Sequence, residues 1–190
     1  MIISKASPKE YDSIRLFYHS LIDALEGTRY HPKWQKDIYP APEDLRGAVL
    51  AGELYIGRVD SRMAAAMVLN QKCNPEYADA AWRTFLNPSE FMVIHMLGVH
   101  RDFAGQGLAK EMVRFAIEKA KAWGMKAIRL DVLKGNAPAE RLYPAMGFVY
   151  VDTIQLFYED TGRADFGLYE LVLPAKPADT DYGDKTEVLV

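Results

Sequence analysis

The chain has 190 residues, 49% of them apolar and 12% aromatic, enough for a full core, so the composition argues against global disorder. A formal net charge of −3, with no basic stretch interleaved with aromatics, argues against a general nucleic-acid binder. A single cysteine, Cys73, rules out an intramolecular disulfide and a cysteine-rich metal site. The start, Met1-Ile2-Ile3-Ser4-Lys5, is no signal peptide, and no run reaches the roughly 18 apolar residues that span a bilayer. The expectation is a soluble, cytoplasmic protein with no membrane partner and no metal.

Residues 1–6 read as a first strand. Ser7-Pro8-Lys9-Glu10 is a capping box with proline at the first helical position, opening a helix to about Leu25 that Gly27 ends. Thr28 to Ala41 is rich in aromatics and cations. Pro42-Glu43-Asp44 opens a second helix, stopped at Gly52. Leu54–Val59 and Met63–Leu69, around Asp60-Ser61, read as a hairpin. From Asn70 to Ser89 no strand pattern shows, and a short helix is predicted within 76–85; a connection this long is often functional. Phe91 to Val99 is an apolar run that reads as a buried strand, and an amphipathic helix follows from about Leu108 to Trp123, closed by Gly124. Residues 127–132 form another strand, and Asn136 to Met146 a short helix. Residues 148–158 and 166–173 form a last hairpin. The order is β-α-α-β-β-β-α-β-α-β-β, a mixed α/β single domain over 1–173 with a polar tail at 174–190.

Between the apolar strand and the amphipathic helix stands Ala104-Gly105-Gln106-Gly107-Leu108-Ala109. Strand, glycine loop and helix N-terminus make an arrangement that binds phosphate: missing side chains let a ligand approach the backbone, and the helix dipole favours negative charge. A P-loop is absent. A dinucleotide fold is a rival, since Asp131 ends the next strand 24 residues after Gly107. Against it, the third glycine position is Lys110, five residues separate Val99 from Gly105, and no β-α-β half precedes the motif. A loop whose glycines merely turn the chain is the plain alternative.

Residues 99–109 resemble the acyl-CoA pyrophosphate loop of the GNAT superfamily of N-acyltransferases. Downstream, Asn136-Ala137-Pro138-Ala139-Glu140-Arg141-Leu142-Tyr143-Pro144-Ala145-Met146-Gly147-Phe148 is similar to that family's second signature, an Asn-led helix with Leu-Tyr and then Gly-Phe. The two occur in the right order, and the element order over 1–173 also fits. The resemblance implies a central mixed, mostly antiparallel sheet flanked by helices. Three departures stand out. Ala104 replaces the loop's usual arginine, Asp102 stands at its polar first position in place of Gln or Arg, and Pro144 should kink the short helix just after Tyr143.

The resemblance further implies acetyl transfer from acetyl-CoA to a primary amine: a small molecule, a peptide N-terminus or a lysine. The cofactor must be held, the ammonium deprotonated, the oxyanion stabilised and the thiolate protonated. By resemblance, Leu97, Gly98 and Val99 pair with the pantetheine amides beside a β-bulge, Gly105 to Ala109 with Ala104 cradle the diphosphate, and Asn136 binds the pantetheine arm. Tyr143 matches the general acid; packing of the helix on the sheet is its plain alternative. His95, inside an apolar strand, resembles the proton-removing histidine of arylalkylamine N-acetyltransferases, working through water; a satisfied core histidine is the alternative. Glu90 is the second candidate base. Tyr30, Trp34 and Trp82 border the expected acceptor pocket. Asp131 has no assigned role. A homodimer is compatible with this reading. The competing function is a GNAT fold that binds CoA as sensor or scaffold without turnover.

Overall fold

In the computed structural model, residues 1–28 and 32–174 are described. Their eleven main elements follow the predicted order: β1 (Ile2–Lys5), α1 (Tyr11–Leu25), α2 (Pro42–Leu50), β2 (Leu54–Val59), β3 (Arg62–Asn70), β4 (Phe91–Val99), α3 (Leu108–Ala122), β5 (Ala127–Leu133), α4 (Ala137–Ala145), β6 (Val149–Tyr158) and β7 (Gly162–Val172). The strands form one seven-stranded sheet in the order β1-β2-β3-β4-β5-β7-β6. Every neighbouring pair is antiparallel except β4 with β5.

Strand alternation explains the two layers. Tyr55, Ala65, Met67 and Leu69 point to one face, in a cluster with Met112, Val113, Ala116 and Ala120 of α3; Tyr143 of α4 belongs to the same cluster and packs on Phe148 and Tyr169. Leu54, Ile56, Ala66 and Val68 point to the other face and meet Ile14, Phe17, Tyr18 and Leu21 of α1 and Leu45 and Val49 of α2. Their three- and four-residue spacing is the stripe that a sheet-covering helix needs. Among the described residues no helix is long and apolar enough to cross a membrane.

Four local differences from the sequence reading have physical causes. The capping box at Ser7 and Glu10 starts a 3-10 turn at Pro8–Glu10, and α-helix begins only at Tyr11. Within 75–85 there is a 3-10 turn at Pro75–Asp79 and no helix beyond it, because side-chain bonds hold the chain instead: Trp82 Nε1 donates to the Tyr77 carbonyl and Arg129 to that of Thr84. Strand β7 starts at Gly162, four residues ahead of Phe166, since the hairpin stays paired out to Tyr158 and Gly162. Helix α4 runs through Pro144 to Ala145. In the last turn, proline removes only the bond to the Glu140 carbonyl, and the N–H groups of Met146 and Phe148 close on the Tyr143 carbonyl.

The feature that positions the site is a wedge. Strands β4 and β5 pair only from Phe91–Ala127 to Val93–Arg129, although β4 continues to Val99. On its other edge β4 stays paired with β3, but three residue steps from His95 to Gly98 face two from Val68 to Ala66. The extra residue is a β-bulge containing Met96 at φ +54°. Its carbonyl accepts a 2.8 Å hydrogen bond from the Tyr18 hydroxyl of α1. Gly98 lets α1 lean in, since a Cβ there would come within 2.5 Å of Leu21 Cδ1. The bend carries β4 away from β5, and among the described residues its backbone at 97–99 has no partner on the β5 side.

Candidate functional site

A cavity of about 100 Å³ fills the wedge. Strand β4 contributes Ile94 to Leu97, β5 contributes Asp131 to Leu133, and α4 contributes Ala139 and Tyr143 with Asn136 before it. The loop before α2 closes it with Trp34 and Tyr39, and the β6–β7 hairpin with Tyr158 and Phe166. That loop is tied down by Arg15 and His19, which both bond Asp37, and by Gln35 Nε2, which donates to the Asp160 carbonyl.

His95 sits in this wall as an oriented imidazole. Its Nε2 lies 3.0 Å from Asn70 Oδ1 and 2.9 Å from the Lys72 carbonyl. Asn70 is itself fixed, because Oδ1 accepts the Lys72 N–H and Nδ2 donates to Glu53. Both partners of Nε2 are therefore acceptors, so Nε2 carries the proton and Nδ1 holds the lone pair. Burial pulls the His95 pKa below its ordinary value, against the opposing pull of Asp131. The imidazole is thus neutral, in the form that accepts a proton.

Tyr143 lines the same cavity. Its ring is buried against Phe148 and Tyr169. Its hydroxyl has no hydrogen-bond partner among the described residues. Burial, with a smaller push from Asp131, raises its pKa well above the tyrosine range, so the phenol keeps its proton until something more basic arrives.

Tyr143, Asn136, Leu97 and Trp34 also line a second, more apolar cavity of about 390 Å³, which continues along Gly98, Val99 and Arg101 of the free β4 edge. Arg101 is in no ion pair among the described residues. Past it comes the glycine loop, with Gly105 at φ +77° and Gly107 at φ +78° as N-cap of α3. Ala104 to Gly107 are exposed, and Leu108 is buried. A third cavity of about 280 Å³ meets the first at Tyr39, His95, Met96 and Tyr158, and opens toward Glu43, Asp44 and Glu53.

Apart from the glycine loop at 104–109, the predicted site residues fall into three groups. His95, Trp34, Leu97, Asn136 and Tyr143 are brought together at the wedge, with Gly98 and Val99 just beyond. Glu90 and Trp82 are not. Glu90 is committed to the Asn87 N–H and to Lys126, and lines none of these cavities. Trp82 stacks on the Arg129 guanidinium in a separate depression. Tyr30 and residues 175–190 lie outside the described residues. The residue that sequence reasoning left without a role is Asp131. It faces the cavity, and its Oδ2 accepts from Tyr77 (2.7 Å) and Tyr158 (2.9 Å). Its signal was present: a carboxylate between Leu130 and Val132 of a predicted strand, five residues before Asn136. Among the described residues no group of three His, Cys, Asp or Glu is arranged to hold a metal.

The arrangement fits an acyl-CoA: an apolar groove beside an unpaired strand edge, an open glycine loop at a helix start, and an unpartnered phenol where they meet the cavity. Comparison with known proteins agrees. Two curated relatives match in part. The yeast (Saccharomyces cerevisiae) N-alpha-acetyltransferase 30 is 33% identical over 81 residues, 43% of this chain and 44% of that protein. The chloroplastic GCN5-related N-acetyltransferase 6 of Arabidopsis thaliana is 42% identical over 48 residues, 25% of this chain and 17% of that protein. The chain thus spans less than half the length of either. Among solved structures, a GNAT-family acetyltransferase from Streptococcus agalactiae superposes with a TM-score of 0.76 at 20% identity, covering 91% of this chain and 95% of that one. The yncA protein of Salmonella typhimurium, solved with its cofactor acetyl-CoA, gives 0.65 at 18% identity over 94% and 96%. The sequence profile of the acetyltransferase (GNAT) family matches residues 20–148. Because that match crosses most of the chain and takes in the strand, loop and helix on which cavity and groove are built, the chain belongs to the GNAT acetyltransferase family.

Proposed function

We propose that the chain transfers an acetyl group from acetyl-CoA to a primary amine by direct attack, with His95 as water-assisted base and Tyr143 as general acid. The observation that carries this reading is the presence of two opposed proton-handling groups in one cavity: a neutral imidazole with a free lone pair and a phenol with a free hydroxyl. Bound acetyl-CoA supplies the activated acetyl thioester, and CoA thiol is its product.

The chain's own residues meet the remaining needs. The unpaired backbone at Leu97–Val99 holds the pantetheine amides and offers an N–H to the carbonyl oxygen, where negative charge develops. Asn136 accepts the Ala139 N–H at the α4 cap, at 3.5 Å, which leaves its amide N–H groups for the pantetheine arm. Backbone N–H groups from Gly105 to Ala109 and the α3 dipole hold the diphosphate. Arg101 brings to the groove a positive charge that Ala104 lacks. His95 Nδ1 takes the proton released by the acceptor's ammonium, through a water, and passes it to solvent. Tyr143 gives its proton to the departing sulfur and recovers one, through water, from the acylated nitrogen.

Two measurements test the reading. Acetyl-CoA at about a hundred times its dissociation constant should add roughly 2.7 kcal/mol, a rise on the order of 5–10 °C in Tm, whereas NAD should give none. With an amine panel, thiol release from acetyl-CoA should follow N-acetylation, and Tyr143→Phe should lower kcat at least about tenfold with acetyl-CoA affinity unchanged. Acetyl-CoA binding with no transfer to any amine would leave a CoA-binding module in place of an enzyme.

A further inference from the structure

The remaining unexplained group is Asp131, a carboxylate set in the reaction cavity. Among the described residues it takes part in no ion pair. Arg129, two residues back and on the same face of β5, is already committed: its Nε lies 2.9 Å from Glu170, and its guanidinium lies 4.3 Å from the ring centroids of both Trp82 and Phe91. His95 is the nearest candidate cation on β4, and its surroundings keep it neutral. A charge in such surroundings is costly unless a partner arrives.

What does hold Asp131 is one-sided. Burial raises the Asp131 pKa above its ordinary value; the hydroxyls of Tyr77 and Tyr158, which both donate to Oδ2, oppose that shift and fix the carboxyl's rotamer. Among the described residues Oδ1 has no side-chain donor. The walls opposite are aromatic, with Trp34, Tyr39 and Tyr158 in an edge-to-face chain at centroid separations of 5.8 Å and 5.6 Å. Burial raises the pKa of Tyr39 and of Tyr158 well above the ordinary value, so both rings stay neutral. A carboxylate facing neutral aromatic rings suits an organic cation, attracted by the charge and by the ring faces.

We propose that Asp131, held by Tyr77 and Tyr158 and faced by Trp34 and Tyr39, is the seat of the acceptor's ammonium group. The acceptor is then a primary alkylammonium taken up as the cation. Asp131 is a positioning residue in this account: it brings the ammonium beside His95, which takes the proton. The assignment rests on the acetyl-transfer reading for its name of acceptor, and on the cavity alone for its chemistry.

The test separates the two. NMR-detected binding of n-butylammonium and of n-butanol, its neutral counterpart, is measured on the full chain, wild type and Asp131→Asn. The asparagine keeps a carbonyl oxygen for both tyrosine hydroxyls. Wild type should prefer the ammonium by about ten- to hundredfold, the worth of a charged hydrogen bond, and Asp131→Asn should erase the preference while still binding acetyl-CoA. A wild type with no preference overturns the seat whether or not the variant folds, and so does a variant that keeps the preference. In parallel, thiol release from acetyl-CoA is followed with n-butylamine and the other amines. No turnover with any amine, with the binding preference intact, ends the acetyl-transfer reading and Asp131's part in it, while leaving a cation site.

Discussion

His95 shows how one residue's role follows from hydrogen bonds made on its far side. Nε2 is held as a donor by Asn70 and the Lys72 carbonyl, so the lone pair falls to Nδ1. Burial then lowers the pKa. Protonation removes the base, so kcat/KM should rise with pH along a limb centred below the ordinary histidine value of about 6.5 and level off above it. His95→Gln should lower kcat/KM about a hundredfold and abolish that limb. A variant that loses activity but keeps the limb would assign the titration to another group. Stability follows the same sign. A folded-state pKa below the unfolded one means the unfolded chain binds more protons, so His95's contribution is full above about 6.5 and is lost as pH falls through that window.

At the scale of elements, the glycine loop and the β4 bulge are backbone devices, and substitutions there act through conformation. A Cβ on Gly105 would meet nothing within 4 Å, but the residue holds φ +77°. Gly105→Ala should therefore cost about 1 kcal/mol from backbone strain alone. If its N–H helps cradle the diphosphate, the dissociation constant of acetyl-CoA should rise about tenfold by calorimetry, as for one lost charge-assisted hydrogen bond. Gly124, at φ +70° beyond the end of α3 and with equally open space, is the control. Gly124→Ala should cost similar stability and leave affinity alone; an equal fall in affinity would mean the loop effect is indirect.

For the molecule as a whole, the start of β5 is held by a buried ion pair. Arg129 is 3% exposed and Glu170 is fully buried. Their contact joins β5 to β7, while Thr84 bonds both partners and fastens the long connection between β3 and β4. Among the described residues Glu170 Oε2 has no hydrogen-bond partner, so the pair is only partly compensated. Arg129→Met should destabilise by about 3–5 kcal/mol, because Glu170 would be left as a lone buried charge. For a chain of this size that lowers Tm by roughly 10 °C. Adding Glu170→Met should restore most of the loss; a double variant as unstable as the single one would show that the lost packing of Arg129 between two rings is the cause.

Much of this architecture was legible in the sequence because it depends on local periodicity. The apolar spacing of α1 and α3, the alternation along β2 and β3, and the strand–glycines–helix order all report which face is buried and where the chain turns. Tyr143 and Asn136 were singled out differently, through the resemblance of residues 136–148 to a family signature. What only the tertiary structure decided depends on residues far apart in the chain. Glu90 reads as a candidate base at a strand start, yet its carboxylate is spent on its own turn and on Lys126. Asp131 reads as a strand residue without a role, yet Tyr77 lies 54 positions before it and Tyr158 27 after. A side chain's protonation and partners are set by whatever packs against it, and sequence neighbours carry no record of that. The sequence by itself determined a GNAT-like α/β sheet with a phosphate-type loop; the splay of β4 from β5 decided which charged groups meet in the space between them.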